Sequence, residues 1–104
     1  MAEEIVLGEK IKLIGFDEVK DMDLVLAKKL IGTQVKKIVD RFGELREIKI
    51  HHKKIHNSRH GINIHLLIDD KDLQVEEENH NLYMAISDVF KALENLLKKE
   101  YGKK

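Results

Sequence analysis

The chain has 104 residues with no Cys, Pro or Trp; 42% are apolar and 37% charged, with 19 Lys+Arg against 19 Asp+Glu. This composition excludes a disulfide-stapled secreted domain, a thiolate metal site, a Cys nucleophile and a charge-dominated disordered chain. No apolar run reaches the roughly 18 residues of a membrane span, and the start MAEEIVLG lacks the basic residues of a signal peptide. The expectation is one cytoplasmic domain over residues 1–104, with its core in 10–100 and no linker or repeat.

In chain order, residues 10–15 (KIKLIG) alternate Lys10 and Lys12 with Ile11 and Leu13, the pattern of a short half-buried strand ended by Gly15. Asp21 or Asp23 is placed to cap a helix. From 22 to 43, Leu24, Ala27, Ile31, Val35, Ile38 and Phe42 recur at steps of three and four, a helical stripe. Gly32 interrupts it and Gly43 fits its end. Residues 45–56 alternate again, with Ile48 and Ile50 opposite Glu47, Lys49 and His51. Asn57, Ser58 and Gly61 supply turn chemistry. Ile62, Ile64, Leu66 and Ile68 form one face of the next strand, and Asp69 to Asp72 turn into a third that carries Leu73 and Val75 to about Glu78. From 80 to 100, Leu82, Ile86, Val89, Leu93, Leu96 and Leu97 predict a second helix capped by Asn79 or Asn81. The order β-α-β-β-β-α predicts an α+β fold, a two-layer sandwich with both helices on one face of a four-stranded sheet. The strand-helix-strand crossover allows a parallel pair; the strand order is open.

Zero net charge argues against a nucleic-acid partner only if the charge is evenly spread. It is not. Residues 46–60 carry Arg46, Lys49, Lys53, Lys54 and Arg59 against Glu47, a net +4; residues 69–78 carry six acids against Lys71, a net −5. Lys28, Lys29, Lys36 and Lys37 lie on the first helix, and Lys91, Lys98 and Lys99 on the second, with Lys103 and Lys104 beyond. Such a patch attracts phosphate whatever the total, because salt limits each field to about 8–10 Å. Ordinary solvated helix faces are the plainer reading of the same lysines.

Five of the six histidines, His51, His52, His56, His60 and His65, fall within fifteen residues. A metal site is not expected, since their spacing is not that of a helical pair and the adjacent Lys53, Lys54 and Arg59 repel a cation. They read as polar strand residues that add positive charge below about pH 6.5. Ser58 and Ser87 sit in no nucleophile pattern, and no Gly-rich phosphate loop follows a strand. No reaction, cofactor or small-molecule substrate is expected.

The second-helix string Asn81-Leu82-Tyr83-Met84-Ala85-Ile86-Ser87-Asp88, followed by Lys91, Leu93, Leu97 and Lys99, resembles the short ribosome hibernation-promoting factors. These are also called ribosome-associated inhibitor A or sigma-54 modulation proteins. The start, Ile11-Lys12-Leu13-Ile14-Gly15 with Val19 before an acid-rich helix start, resembles the family too, so the likeness runs over about 10–100. The resemblance implies a non-enzymatic protein that binds RNA of the small ribosomal subunit and blocks translation under stress. The positions it implies as RNA contacts are Lys28, Lys29, Lys36, Lys37, Lys91, Lys98 and Lys99. The charge pattern adds Lys49, His51, Lys53, Lys54 and Arg59. The residues alone leave a second class open. That is a homodimerising structural or protein-interaction domain, whose basic 46–60 and acidic 69–78 segments pair between copies across strand edges.

Overall fold

The computed structural model describes residues 4–7 and 10–102. Its elements are β1 (Glu4–Leu7), β2 (Ile11–Ile14), α1 (Asp21–Phe42), β3 (Leu45–Ile55), β4 (Arg59–Ile68), β5 (Lys71–Asn79) and α2 (Leu82–Tyr101), with single 3₁₀ turns at Phe16–Glu18 and His56–Ser58. The sheet runs β1-β2-β3-β4-β5 in chain order. All pairs are antiparallel except β2 with β3, which α1 joins as a crossover.

The two-layer α+β arrangement is the one the periodicity predicts. The sheet has five strands rather than four, because Glu4–Leu7 adds an edge strand that pairs antiparallel with β2. Its four residues lack polar–apolar alternation, and the short apolar run Ile5-Val6-Leu7 is ambiguous by itself, so the pairing with β2 defines this element.

Each helix forms because its apolar residues share one stripe. That stripe in α1 is Ala27, Ile31, Val35, Ile38 and Phe42; in α2 it is Leu82, Ala85, Ile86, Val89, Phe90, Leu93 and Leu97. These pack on one face of the sheet, formed by Leu13 of β2, Ile48 and Ile50 of β3, Ile62, Ile64, Leu66 and Ile68 of β4, and Leu73 of β5. Burying each such side chain contributes about 1.5–3 kcal/mol against the chain entropy lost on folding. In β3 the alternation breaks once. A register shift between Leu45 and Glu47 lets both Leu45 and Ile48, three apart, reach the core.

The helix starts differ. Neither Asp21 nor Asp23 caps α1: the N-cap is Lys20, with no side-chain bond, and both acids sit in the first turn. There they favour the positive end of the helix dipole without occupying the cap. Asn81 does cap α2, its Oδ1 accepting from the Met84 N–H at 3.0 Å, while Asn79 Oδ1 accepts from the Asn81 N–H at 3.0 Å. Asn81→Ala is expected to lower stability by about 1 kcal/mol in urea denaturation. At the far end, Tyr101 stacks at 6.1 Å from Phe42 and its hydroxyl donates to Asp69 at 2.5 Å. Burial and then the Asp69 bond push the phenol up to about 12. Asp69 itself takes φ 54 in the tight β4–β5 turn.

Tyr83 in the first turn of α2 donates to Asp23 in the first turn of α1 at 2.8 Å. That bond and burial raise the Tyr83 phenol above its ordinary value. The two helices therefore start side by side, and both run back against the sheet.

Candidate nucleic-acid interface

The fold divides the cations between two opposite surfaces. Side chains of β3 and β4 that do not join the core face away from the helices. This open sheet face holds Glu47, Lys49, His51 and Lys53 of β3, Asn63 and His65 of β4, and Asp72, Gln74, Glu76 and Glu78 of β5. Much of its charge is compensated, though among the described residues Lys53 and Glu76 form no ion pair. Glu47 pairs with Lys12 at 3.0 Å and approaches Lys49 at 3.8 Å, Arg59 pairs with Glu78 at 3.0 Å, and His65 pairs with Asp72. The Lys12 bond leads the causes that hold the Glu47 carboxyl below its usual range. A shallow basin of about 510 Å³ lies on this face, lined by Ile14, His51, Lys53, Asn63, His65 and Glu76. His51 and His65 line it together, but they are diagonal neighbours: His51 stands opposite Asn63 and His65 opposite Lys49. Among the described residues, no three metal-ligating side chains come together.

The other surface is the outer side of the helix layer. Lys29, Lys36 and Lys37 of α1 and Lys91 and Lys99 of α2 are exposed; Lys28 and Lys98 are half-buried. Among the described residues, Lys28, Lys29, Lys36, Lys37, Lys91 and Lys99 form no ion pair, whereas Glu94 is held by both Arg41 at 2.9 Å and Lys98 at 3.7 Å. Glu100 is drawn off by Lys71 at 3.4 Å. The helix layer thus presents unpaired cations, and unpaired exposed lysines suit phosphate, which binds them as point charges.

The lysines of the two helices and the cations of the 46–60 segment do not share one surface. Lys49, His51 and Lys53 share the open face with the acidic strand, and Arg59 is tied to that strand through Glu78. Lys54 has the opposite parity. It sits on the helix side, at the end where α1 and α2 begin, in a groove with Asp23 and His60. Lys103 and Lys104 lie outside the described residues. β3 is hydrogen-bonded to β4 on one side and, over Ile48–His51, to β2 on the other, so the edge pairing between copies that the second class requires is left only to its end beyond His51.

Grouped by residue type, the histidines are polar strand residues, but two of them turn inward. His52 shares parity with Ile48 and Ile50, and His60 with Ile62 and Ile64, so alternation marks both for the helix side. His52 is 6% exposed and tilts against Phe16 at 5.3 Å between ring centres.

The model of the family described as sigma-54 modulation protein / S30EA ribosomal protein matches residues 26–104. The chain belongs to this family. Its members are ribosome-associated, non-enzymatic factors, and the chain has the ribosome-binding character of the hibernation type. The match takes in α2 and its lysines, and most of α1; the resemblance at Ile11–Gly15 lies before it. Two solved structures show the same fold. A ribosomal subunit interface protein from Coxiella burnetii superposes with a TM-score of 0.66 at 17% identity, over 75% of this chain and 85% of that one. The N-terminal domain of Protein Y from Thermus thermophilus gives 0.64 at 22% identity, over 79% and 86%. No curated protein matches the sequence. Among the described residues, no helix is long and apolar enough to cross a membrane.

Proposed function

We propose that this family member binds ribosomal RNA of the small subunit through the outer surface of its helix layer, acts in the cytoplasm, and blocks translation by occupying that site. The observation that carries the reading is the contrast between the two surfaces. Among the described residues, the helix layer keeps six lysines free of ion pairs, while on the sheet face Lys49 and Arg59 stand against carboxylates and Lys53 alone of its Lys and Arg residues forms no pair. Contacts of this kind go mainly to phosphates, so they select the shape of a folded RNA rather than a base sequence.

Lys28, Lys29, Lys36, Lys37, Lys91, Lys98 and Lys99 are the residues assigned to that surface. Lys49, His51, Lys53 and Arg59 lie on the other side of the molecule, and in this reading they make no primary contact. The acidic strand then faces away from the RNA.

Gradient sedimentation with purified subunits tests the reading. The protein is expected to travel with the small subunit at low salt and to leave it as salt rises. A protein that stays at the top of the gradient at low salt sinks the proposal. Self-association without RNA affinity would return the interaction-domain class instead.

A further inference from the structure

The inward-turned histidines are the part of the sequence cluster that an RNA surface does not use. Among the described residues, His52 is the one polar side chain that is buried. Its Nδ1 lies 2.9 Å from the Gly15 carbonyl oxygen, and its Nε2 lies 2.9 Å from His60 Nδ1. A carbonyl only accepts, so the geometry assigns the proton to His52 Nδ1. Nε2 of a neutral His52 is then an acceptor, and His60 Nδ1–H donates to it. The hydrogen bonds run in one direction, from His60 through His52 to the Gly15 carbonyl. They join the start of β4, the end of β3 and the β2–α1 connection.

This relay has room for few protons. An added proton on both rings would set two N–H groups against each other at 2.9 Å and place two cationic rings 5.1 Å apart. A proton on His60 Nε2 keeps the bond but charges a ring in a poor place for a cation. Lys54 of β3 faces it directly, and Lys20 and His80 line the same groove. Asp23 of α1 and Glu18 stand on the other side of the balance, but Asp23 already accepts the Tyr83 hydroxyl. Arg59 and Glu78 neutralise each other nearby, with His80 against the Arg59 guanidinium at 3.1 Å.

We infer that the His52–His60 pair is an acid-sensitive tie, which fastens the β2–α1 connection to the β3–β4 hairpin when neutral and loosens that end of the domain when protonated. Burial first, then His52 and Lys54, hold the His60 imidazole below its ordinary value, with Asp23 opposing. The folded state therefore binds fewer protons than the unfolded chain. The stability from this site is full above about pH 6.5 and drains away as pH falls from there through the folded value. Both helices begin at this end, so acid acts on the frame that holds the helix lysines and not on the lysines. That consequence for RNA rests on the proposed function; the tie itself does not.

Two measurements decide it. Side-chain NMR of the wild-type chain between pH 7.5 and 5 follows each imidazole, and His60 is expected to titrate below about 6.5. Amide exchange of residues 15–19 and 52–62, corrected for its intrinsic pH dependence, is expected to show several-fold more opening at pH 5.5 than at 7.5. His60→Asn places an amide N–H where the imidazole Nδ1–H stood, so it can still donate to His52 but does not titrate. In this variant the acid-induced opening is expected to disappear while protection at pH 7.5 is kept. A His60 that titrates at or above 6.5, or wild-type opening that does not change with pH, overturns the tie. So does equal acid sensitivity in His60→Asn. Failure to sediment with the small subunit at any pH would overturn the RNA reading and leave the tie standing.

Discussion

Gly15→Ala is expected to remove roughly 3–5 kcal/mol of folding stability, a large part of what a domain of this size has. Two effects add at this position. Gly15 sits at φ +81, where a side chain is strained whatever the space around it. A Cβ there would also stand 2.2 Å from the His52 carbonyl oxygen, a backbone atom of an interior strand that cannot swing aside. Moving the loop away instead would break the bond from His52 Nδ1 to the Gly15 carbonyl and unseat Phe16, which is fully buried. Gly32→Ala is the internal control. Gly32 lies in the middle of α1, is exposed, and has nothing within 4 Å of an added Cβ. There alanine is expected to add about 0.5–1 kcal/mol by restricting the unfolded chain. Urea denaturation of both variants at pH 7.5 reads the two signs directly. A Gly15→Ala midpoint within experimental error of wild type would refute the close packing of the β2–α1 connection on β3.

The same glycine shows where pattern stops being informative. Period-3.6 stripes and period-2 alternation are local, so both helices and the three strands from Leu45 to Asn79 are legible in the sequence, as is the Asn81 cap. Gly15 reads there only as a strand terminator; the need for its missing Cβ comes from His52, far along the chain. β1 is invisible for a similar reason. Its four residues gain their pairing from β2 and carry no period of their own. Charge is legible as segments but not as surfaces. The basic run 46–60 looks like one patch in sequence, yet alternation sends Lys49 and Lys53 to one side of the sheet and Lys54 to the other. The antiparallel hairpins then lay acidic β5 across the same open face. Parity with the flanking isoleucines does reveal that His52 and His60 point inward. Grouping the histidines by residue type hides that signal.

Reversing the charge of the helix layer is expected to have the largest effect on RNA binding. Lys29, Lys36 and Lys91 are exposed and lack ion pairs, so Lys29→Glu, Lys36→Glu and Lys91→Glu together should leave folding stability within about 1 kcal/mol. Affinity for the small subunit should fall at least about 100-fold at moderate salt, because up to three phosphates lose their cation and meet a carboxylate instead. The slope of log affinity against log salt should shrink by about 0.7–0.9 for each phosphate no longer neutralised. Lys49→Glu, Lys53→Glu and Arg59→Glu make the matching change of net charge on the open sheet face. If RNA lay against that face, the sheet variant would flatten the salt dependence and the helix variant would not. Because both variants shift the total charge equally, any difference between them reports position alone. Charge pairing sets the direction expected for that difference. The sheet cations already sit beside Glu47, Glu76 and Glu78, and the field they project toward a phosphate is largely cancelled before it leaves the surface. An equal loss in both variants would mean that binding senses only net charge, and the assignment of a helix-layer interface would fall.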